Sequence, residues 1–296
     1  MTESTKAHLA LTLSGLLFGA NYWIAKGLMP LYMQPMQIIF VRGAMALVLF
    51  WLVSLLFKDS TIPERKDHRI LALCGLTGIA LNQALFFTGL SLTSPVDTAL
   101  IHSGSPVIVL LFSIWLAGEK TGKSKITGMA LGATGAVLLV FQGNFNEDGK
   151  NQLLGNVLIF MNIVSYSLYL VMMKPLMQKY SVITIMKWVF LYGFLFVLPF
   201  SLPSFIGMTT NNFTPFAWFS IIYIVVGTTF ITYFLTSYSL RTVSAGVAGY
   251  YIYMQPVIAA LIGILLFNEN LTPSKIMAAI LVFTGVFLVN RPVTKH

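Results

Sequence analysis

Arg42, Asp97 and His102 are ionisable side chains inside long apolar stretches of this sequence, where a charge is costly. A guanidinium can bind a carboxylate through two parallel hydrogen bonds, and an imidazole exchanges its proton near neutral pH. Amide and tyrosine side chains occur in neighbouring stretches, either to contact a bound small molecule or to pack between helices. The candidates for that contact are Asn21, Tyr22, Asn82, Gln83, Tyr166, Tyr250 and Gln255.

The three ionisable residues each have more than one possible role. Arg42 and Asp97 could form an ion pair with a role in coupling, or Arg42 could bind the carboxylate of a substrate. Asp97 follows Ser94 and Pro95, so it could instead be an acid that stabilises a helix N-terminus. His102 lies about 7 Å deeper, at about 1.5 Å per residue. It is a candidate proton carrier or substrate contact, or a neutral ring bonded to a backbone carbonyl.

Two prolines interrupt apolar stretches at matching places. Proline has no N–H group, so Pro106 frees the carbonyl of His102 and Pro256 frees the carbonyl of Ile252. A helix broken at membrane depth is tolerated where it is buried in protein or lines a watery cavity. We therefore expect helix kinks at both prolines, beside a shared central site. The alternative is that the prolines bend these helices only for packing.

The elements that must position these residues are membrane helices. The chain has 296 residues, of which 57% are hydrophobic and 9% are charged, whereas a soluble domain is nearer one quarter charged. A membrane-spanning helix needs about 20 mainly apolar residues. The sequence has ten such stretches, at residues 7–28, 35–57, 69–91, 95–117, 124–142, 152–173, 181–202, 215–239, 242–267 and 272–290. We expect an all-α integral membrane protein with ten transmembrane helices.

The basic residues are distributed unequally between the two sides of the membrane. With the N-terminus inside, fourteen of the 18 Lys and Arg residues fall at the inner ends and three at the outer ends. This excess predicts that both termini are cytoplasmic in a multi-pass protein of the cytoplasmic or inner membrane. The first stretch has no cleavage site after it, so we expect it to be a retained span. The formal charge of +9 is explained in this way without nucleic-acid binding.

The two halves of the sequence resemble each other. When the chain is shifted by 150 residues, fourteen of 34 positions of 106–139 are identical to those of 256–289. The identities include Pro106 with Pro256 and Glu119 with Glu269. Five spans per half is an odd number, so the second half enters the membrane from the opposite side, as in many secondary transporters. We expect repeats at 1–143 and 152–296, joined by a loop at 144–151.

These features resemble the EamA repeat of the drug/metabolite transporter superfamily. The similar features are the proline within a helix, the glutamate that ends it and the Gly-containing helix that follows, together with "LLFGANYWIAK" (16–26) and "IIFVRGAMALVL" (38–49). The resemblance covers the whole chain. It implies a ten-helix carrier, often an exporter of amino acids or related metabolites, with a central cavity lined by spans 1–4 and 6–9.

The expected function is therefore secondary transport of a small metabolite by alternating access, with export as the direction. A multidrug or organic-cation efflux carrier is the alternative, although the first span has no carboxylate. A channel or lipid scramblase would differ by lacking saturable counterflow.

The sequence has no HExxH, GxSxG or Gly-rich phosphate loop, and its single cysteine, Cys74, excludes a cysteine-based metal site. We expect no enzyme activity, cofactor or metal. The small residues of 124–142 suit close helix contact, within the chain or in a homodimer.

Overall fold

The computed structural model describes residues 2–57, 61–118, 122–141, 151–243, 248, 251–252, 254–267 and 272–290. In the first half the elements are α1 (Glu3–Leu28), α2 (Pro35–Leu56), α3 (Asp67–Gly75), the π-helix π1 (Leu76–Leu81), α4 (Asn82–Leu92), α5 (Pro95–His102), α6 (Ser105–Ala117) and α7 (Lys123–Phe141). In the second half they are α8 (Gln152–Lys179), α9 (Val182–Ile206), α10 (Pro215–Ile222), the π-helix π2 (Tyr223–Ile231), α11 (Thr232–Ser239), α12 (Met254–Phe267) and α13 (Pro273–Asn290). Tyr250 and most of the predicted connecting loop lie outside the described residues.

The all-α prediction is confirmed over the described residues, and helix occupies each of the ten predicted apolar stretches. Among the residues that the structure describes, six segments are long and apolar enough to cross a membrane. They are Pro35–Leu56, Asp67–Leu92, Pro95–Leu116, Gln152–Lys179, Val182–Ile206 and Pro215–Ser239. The total of ten crossings stays a prediction. Some boundaries differ from the predicted ones; α8, for example, continues six residues beyond the expected end, through Pro175 to Lys179. Leu176 and Met177 keep its buried face in the core there.

Several helices begin where the sequence supplies a cap. The Ser94 hydroxyl accepts the backbone N–H of Asp97 at 3.0 Å, and Pro95 occupies the first turn of α5. Ser181 caps α9 in the same manner, by accepting the backbone N–H of Thr184 at 3.0 Å. A side-chain acceptor satisfies an N–H group that has no partner in the first turn, and proline there loses no helical bond. These caps position the helices that surround the centre of the molecule.

The interruptions of the helices also repeat between the halves. π1 lies between α3 and α4, and π2 lies between α10 and α11, so the third and eighth predicted spans each contain a π-helix near the middle. Shifting Leu76–Leu81 by 148 residues places it within Tyr223–Ile231. A π-helical turn widens the helix locally and is frequent at functional sites. The repeat therefore extends to backbone irregularities that the alignment of residues did not reveal.

The helices α7 and α13 cross through their small residues. A methyl group added to Gly285 would collide with the backbone of Gly128 and Gly132, and one added to Gly135 would lie 2.8 Å from the carbonyl oxygen of Ala278. The backbones therefore approach closely only because these residues are glycines. The sequence left open whether these small residues mediate contact within or between chains. Their contact is within the chain.

A charged cluster joins the two halves at one end of the molecule. Lys179 Nζ lies 2.6 Å from a carboxylate oxygen of Glu64 and 2.6 Å from one of Asp67, and the Tyr180 hydroxyl donates to Asp67 at 2.6 Å. The hydrogen bond from Lys179 holds the pKa of the Glu64 carboxyl below its ordinary value, with a smaller effect from Lys66. The cluster ties the segment before α3 to the end of α8.

Candidate functional site

A cavity lies at the centre of the molecule between the two halves. It contains about 820 Å³ of empty space including its open part. Its wall is formed by α1, α2, α4, the α5–α6 break, α8, α11 and the start of α12. Both apolar and polar side chains face it. It is the place where a small molecule could be held away from lipid.

Seven of the nine predicted contact residues line this cavity. They are Asn21, Tyr22, Arg42, Asn82, His102, Tyr166 and Gln255. Gln83 does not line it: the side chain is 1% exposed, and neither of its polar atoms has a hydrogen-bond partner among the described residues. Tyr250, the ninth, is outside the described residues. The structure therefore brings together residues that are as much as 234 positions apart in sequence.

Arg42 is buried, and its neighbours are neutral. Its side chain donates from Nε to the hydroxyl of Thr229 and from Nη2 to the carbonyl oxygen of Thr228 at 3.3 Å. The guanidinium also lies over the ring of Phe87, 5.4 Å from the centroid. Both threonines belong to π2. A guanidinium has five N–H donors, so these two bonds leave donors for a ligand in the cavity.

The predicted Arg42–Asp97 ion pair is not formed, so that prediction was wrong for this structure. Asp97 is 4% exposed, and its carboxylate accepts a hydrogen bond from the side chain of Gln152 at 2.7 Å. The acid lies in the first turn of α5, beside the first turn of α8. Arg42 instead meets π2, because α2 packs against that segment. The alternative role of Asp97 at a helix N-terminus agrees with this position.

His102 is held between two acceptors on the cavity wall. Its Nδ1 is 3.0 Å from the carbonyl oxygen of Thr98, and its Nε2 is 2.7 Å from Oδ1 of Asn162. The ring also contacts Tyr22 and Phe86, with centroids 5.7 and 5.8 Å apart. The bond to a backbone carbonyl was one of the alternatives drawn from the sequence. The bond to Asn162, on the second half, was not.

A second buried bond crosses the cavity between the halves. The Tyr22 hydroxyl donates to Oε1 of Gln255 at 2.7 Å, and both side chains are less than one tenth exposed. Tyr22 lies on α1 and Gln255 on α12. The amide nitrogen of Gln255 and the oxygen of Tyr22 keep further hydrogen-bonding capacity. This pair can orient a polar group of a ligand from two sides.

The helix interruptions lie beside the cavity, as the two prolines suggested. α5 ends at His102 and α6 begins at Ser105, next to Pro106. The Ser105 hydroxyl donates to the freed carbonyl oxygen of His102 at 2.6 Å. Near Pro256, the carbonyl oxygen of Ile252 accepts the backbone N–H of Gln255 at 3.0 Å. Neither carbonyl is left without a donor, so the breaks present side chains rather than bare backbone to the cavity.

Some wall residues escaped the sequence analysis. Ser14 lines the cavity, is 4% exposed, and its hydroxyl has no hydrogen-bond partner among the described residues. It precedes Asn21 by seven positions, about two helical turns, so helical spacing from Asn21 could have identified it. Tyr233 and Thr236 on α11 carried no such signal. They follow π2, and a π-helical turn changes which face of the helix points inward.

The comparisons with known proteins agree with this architecture. The sequence model described as "EamA-like transporter family" matches residues 5–141 and again 153–291. An uncharacterised transporter of Bacillus subtilis (strain 168), YetK, is 26% identical over 82% of this chain and 74% of its own length. A protein of Streptantibioticus cattleyicolor, named "probable terminal-alkyne amino-acid exporter", is 25% identical over 77% of this chain and 75% of its own. A solved crystal structure covers 97% of this chain and 96% of its own at a TM-score of 0.66 and 17% identity, which shows a shared fold.

Proposed function

Because the chain belongs to the EamA-like transporter family, we propose that it exports an amino acid or a closely related carboxylate across the cytoplasmic membrane. The substrate binds in the central cavity, and alternating access exposes that cavity to each side in turn. The carboxylate of the substrate binds Arg42. The apolar and aromatic part of the wall receives the side chain of the substrate.

The observation that carries this proposal is the buried charge of Arg42. The groups that it contacts are neutral, and no Asp or Glu lines the cavity among the residues that the structure describes. A buried cation is costly unless an anion or a set of strong acceptors stabilises it. A substrate carboxylate supplies that anion, and the unused donors of the guanidinium suit its two oxygens. This argument supports an acidic group on the substrate without naming its side chain.

The other groups on the wall suit the remainder of an amino acid. The hydroxyl of Ser14, the amide of Gln255 and the phenol of Tyr22 offer hydrogen bonds for an amino group. Phe18, Phe86 and Tyr166 supply apolar surface. The relative named a probable terminal-alkyne amino-acid exporter supports both the substrate class and the direction.

The experiment compares amino acids with their amides in liposomes that contain the purified protein. Radiolabelled amino acids are tested for counterflow, and each active one is compared with the amide that lacks its negative charge. A hydrogen-bonded charge pair contributes about 1.5–3 kcal/mol, so the acid should be favoured about 10- to 100-fold. In Arg42→Gln this preference should disappear.

The matched control is Arg69→Gln, which removes an exposed arginine at the start of α3. It should keep both the flux and the preference for the acid. The proposal is wrong if Arg42→Gln folds, transports and still prefers the acid as strongly as the unaltered protein.

Organic-cation efflux is the second candidate, and the aromatic wall favours it. Tyr22, Phe86 and Tyr251 present ring faces to which a cation could bind. The charge of Arg42 argues against organic-cation efflux, because two cations would then share one buried cavity. Counterflow of tetraphenylphosphonium, with no counterflow of any amino acid, would support this candidate instead.

A further inference from the structure

A chain of hydrogen bonds on the cavity wall runs from α5 to α8 and on to α4. Nδ1 of His102 faces the carbonyl oxygen of Thr98 at 3.0 Å, and Nε2 faces Oδ1 of Asn162 at 2.7 Å. The amide nitrogen of Asn162 then donates to the carbonyl oxygen of Asn82 at 2.6 Å. Asn82 follows directly after π1. The chain therefore connects the broken fourth span to the widened third span through the second half of the protein.

Donor and acceptor roles along this chain are determined by its two ends. A backbone carbonyl can only accept, so Thr98 requires a proton on Nδ1 of His102. Asn82 likewise requires the NH₂ end of Asn162, which leaves the oxygen of that amide facing Nε2. This oxygen can only accept as well, so the bond at 2.7 Å requires a second proton on the ring. The hydrogen bonds to Thr98, Asn162 and Asn82 can all form at once only when His102 is an imidazolium.

We infer that His102 is the proton-binding site of this carrier, and that its Nε2 holds either a proton or the amino group of the substrate. When Nε2 loses its proton, its lone pair faces the oxygen of Asn162, so the link between α5 and α8 opens. The freed lone pair then accepts a hydrogen bond from the substrate. The proton site is inferred from the chain of hydrogen bonds alone, whereas the exchange of the proton for substrate rests on the proposed function.

The surroundings of His102 favour exchange over simultaneous binding. The ionisable groups that share its cavity are Tyr22 on α1, Tyr166 on α8, Tyr233 on α11, Tyr251 before α12 and Arg42 on α2. Asp97, one turn earlier on α5, binds Gln152 instead. The described parts of α4 and α12 have no ionisable residue, and the lysines of α7 are in its first turn. An ammonium beside an imidazolium and a guanidinium would place three cations in one buried cavity against the single carboxylate of the substrate, and like-charge repulsion opposes this arrangement. The proton and the amino acid therefore bind in alternation, as an exporter driven by proton entry requires.

The first test needs no substrate. The protein contains four histidines, so ¹⁵N-histidine spectra of the full chain in lipid nanodiscs can be assigned by difference from His102→Gln. We expect the His102 ring to gain a proton on Nε2 as the pH is lowered over the range in which the protein stays folded, with Nδ1 protonated throughout. In Asn162→Leu one acceptor is missing, so the change should move to lower pH by about one unit. His68→Gln, which removes a ring bonded to Tyr192 near the middle of α9, is the control and should leave the His102 signal unchanged.

A ring that stays neutral throughout that range would overturn the proton site, and so would a titration that Asn162→Leu does not move. Neither result depends on which molecule is transported, so the test of Arg42 is unaffected. The second test measures transport of the amino acids that exchange in liposomes. An inward proton gradient should drive their movement in the unaltered protein, whereas in His102→Gln the gradient-driven flux should fall at least tenfold relative to the counterflow that the same variant retains. Equal gradient-driven flux in the two proteins would overturn the exchange.

Discussion

At the scale of residues, polar side chains of one half are held by groups of the other. Tyr22 of the first half donates to Gln255 of the second, and Tyr233 of the second donates to the carbonyl oxygen of Gly78 at 3.0 Å. A buried donor or acceptor that loses its partner costs about 1–3 kcal/mol. These bonds therefore stabilise one relative position of the halves at the cavity.

The Tyr22–Gln255 bond can be tested by a double-mutant cycle. Tyr22→Phe and Gln255→Leu should each reduce counterflow per folded molecule, because each leaves a buried polar group without its partner. The double variant should lose less than the two losses combined, with a coupling of about 0.5–3 kcal/mol. Tyr32→Phe removes a hydroxyl that binds Thr214 outside the cavity, and it serves as the control. Strictly additive losses would show that the bond is not used during transport.

At the scale of elements, the two π-helices have different surroundings despite their matching positions. Gly78 in π1 packs directly on the ring of Tyr169, so that an added methyl group would overlap it. For Gly227, the glycine of π2, the nearest atom that an added methyl group would meet is 3.7 Å away, in the ring of Tyr223. π1 is therefore pressed against α8, whereas π2 has room around this position.

This difference predicts unequal effects of the same substitution. Gly78→Ala should lower the yield of folded protein and its thermal stability, since overpacking a tight contact costs about 1–3 kcal/mol. Gly227→Ala should leave both nearly unchanged, because the methyl group meets only ordinary contacts. Thermal unfolding of both variants in the same detergent measures the difference. Equal destabilisation would mean that the π-helical backbone itself, rather than the contact with Tyr169, requires glycine.

At the scale of the whole molecule, contacts between distant segments join ends that the sequence predicts on the same side of the membrane. On the predicted inner side the pairs are His8 with Tyr251, Lys187 with Ser54, and Tyr180 with Glu64. On the predicted outer side they are Trp23 with Ala259, Gln37 with Ser204, and Gln152 with Asp97. This agreement supports alternating crossings, and it leaves the absolute orientation as a prediction.

Orientation can be measured by labelling single cysteines. The native Cys74 is fully buried, so its background reaction should be low. Leu31→Cys and Thr210→Cys, one in each half, should react with a membrane-impermeant maleimide in intact cells. Arg65→Cys and Arg241→Cys, both exposed at the predicted inner ends, should react only after permeabilisation. The inverted repeat is rejected if Leu31→Cys and Thr210→Cys react from opposite sides.

The sequence was sufficient to predict the helices and most of the candidate residues that line the cavity. Hydropathy is a local property that adds up along the chain, so the apolar stretches appear without knowledge of their neighbours. Prolines, caps and repeated residues act on the backbone within a few positions, and the breaks beside Pro106 and Pro256 follow from them. Polar residues in apolar stretches avoid lipid, which is why seven of the nine candidates line one cavity.

Only the tertiary structure decided which residue each polar group meets. Arg42 binds π2 rather than Asp97, and His102 reaches Asn162, because partners depend on the rotation and spacing of packed helices. Glycine contacts such as Gly78 on Tyr169 control that spacing, and π-helical turns change the rotation of the residues that follow. Both effects act between segments far apart in sequence. Gln83 illustrates the limit, since its type matched the wall residues while its side chain lies buried away from the cavity.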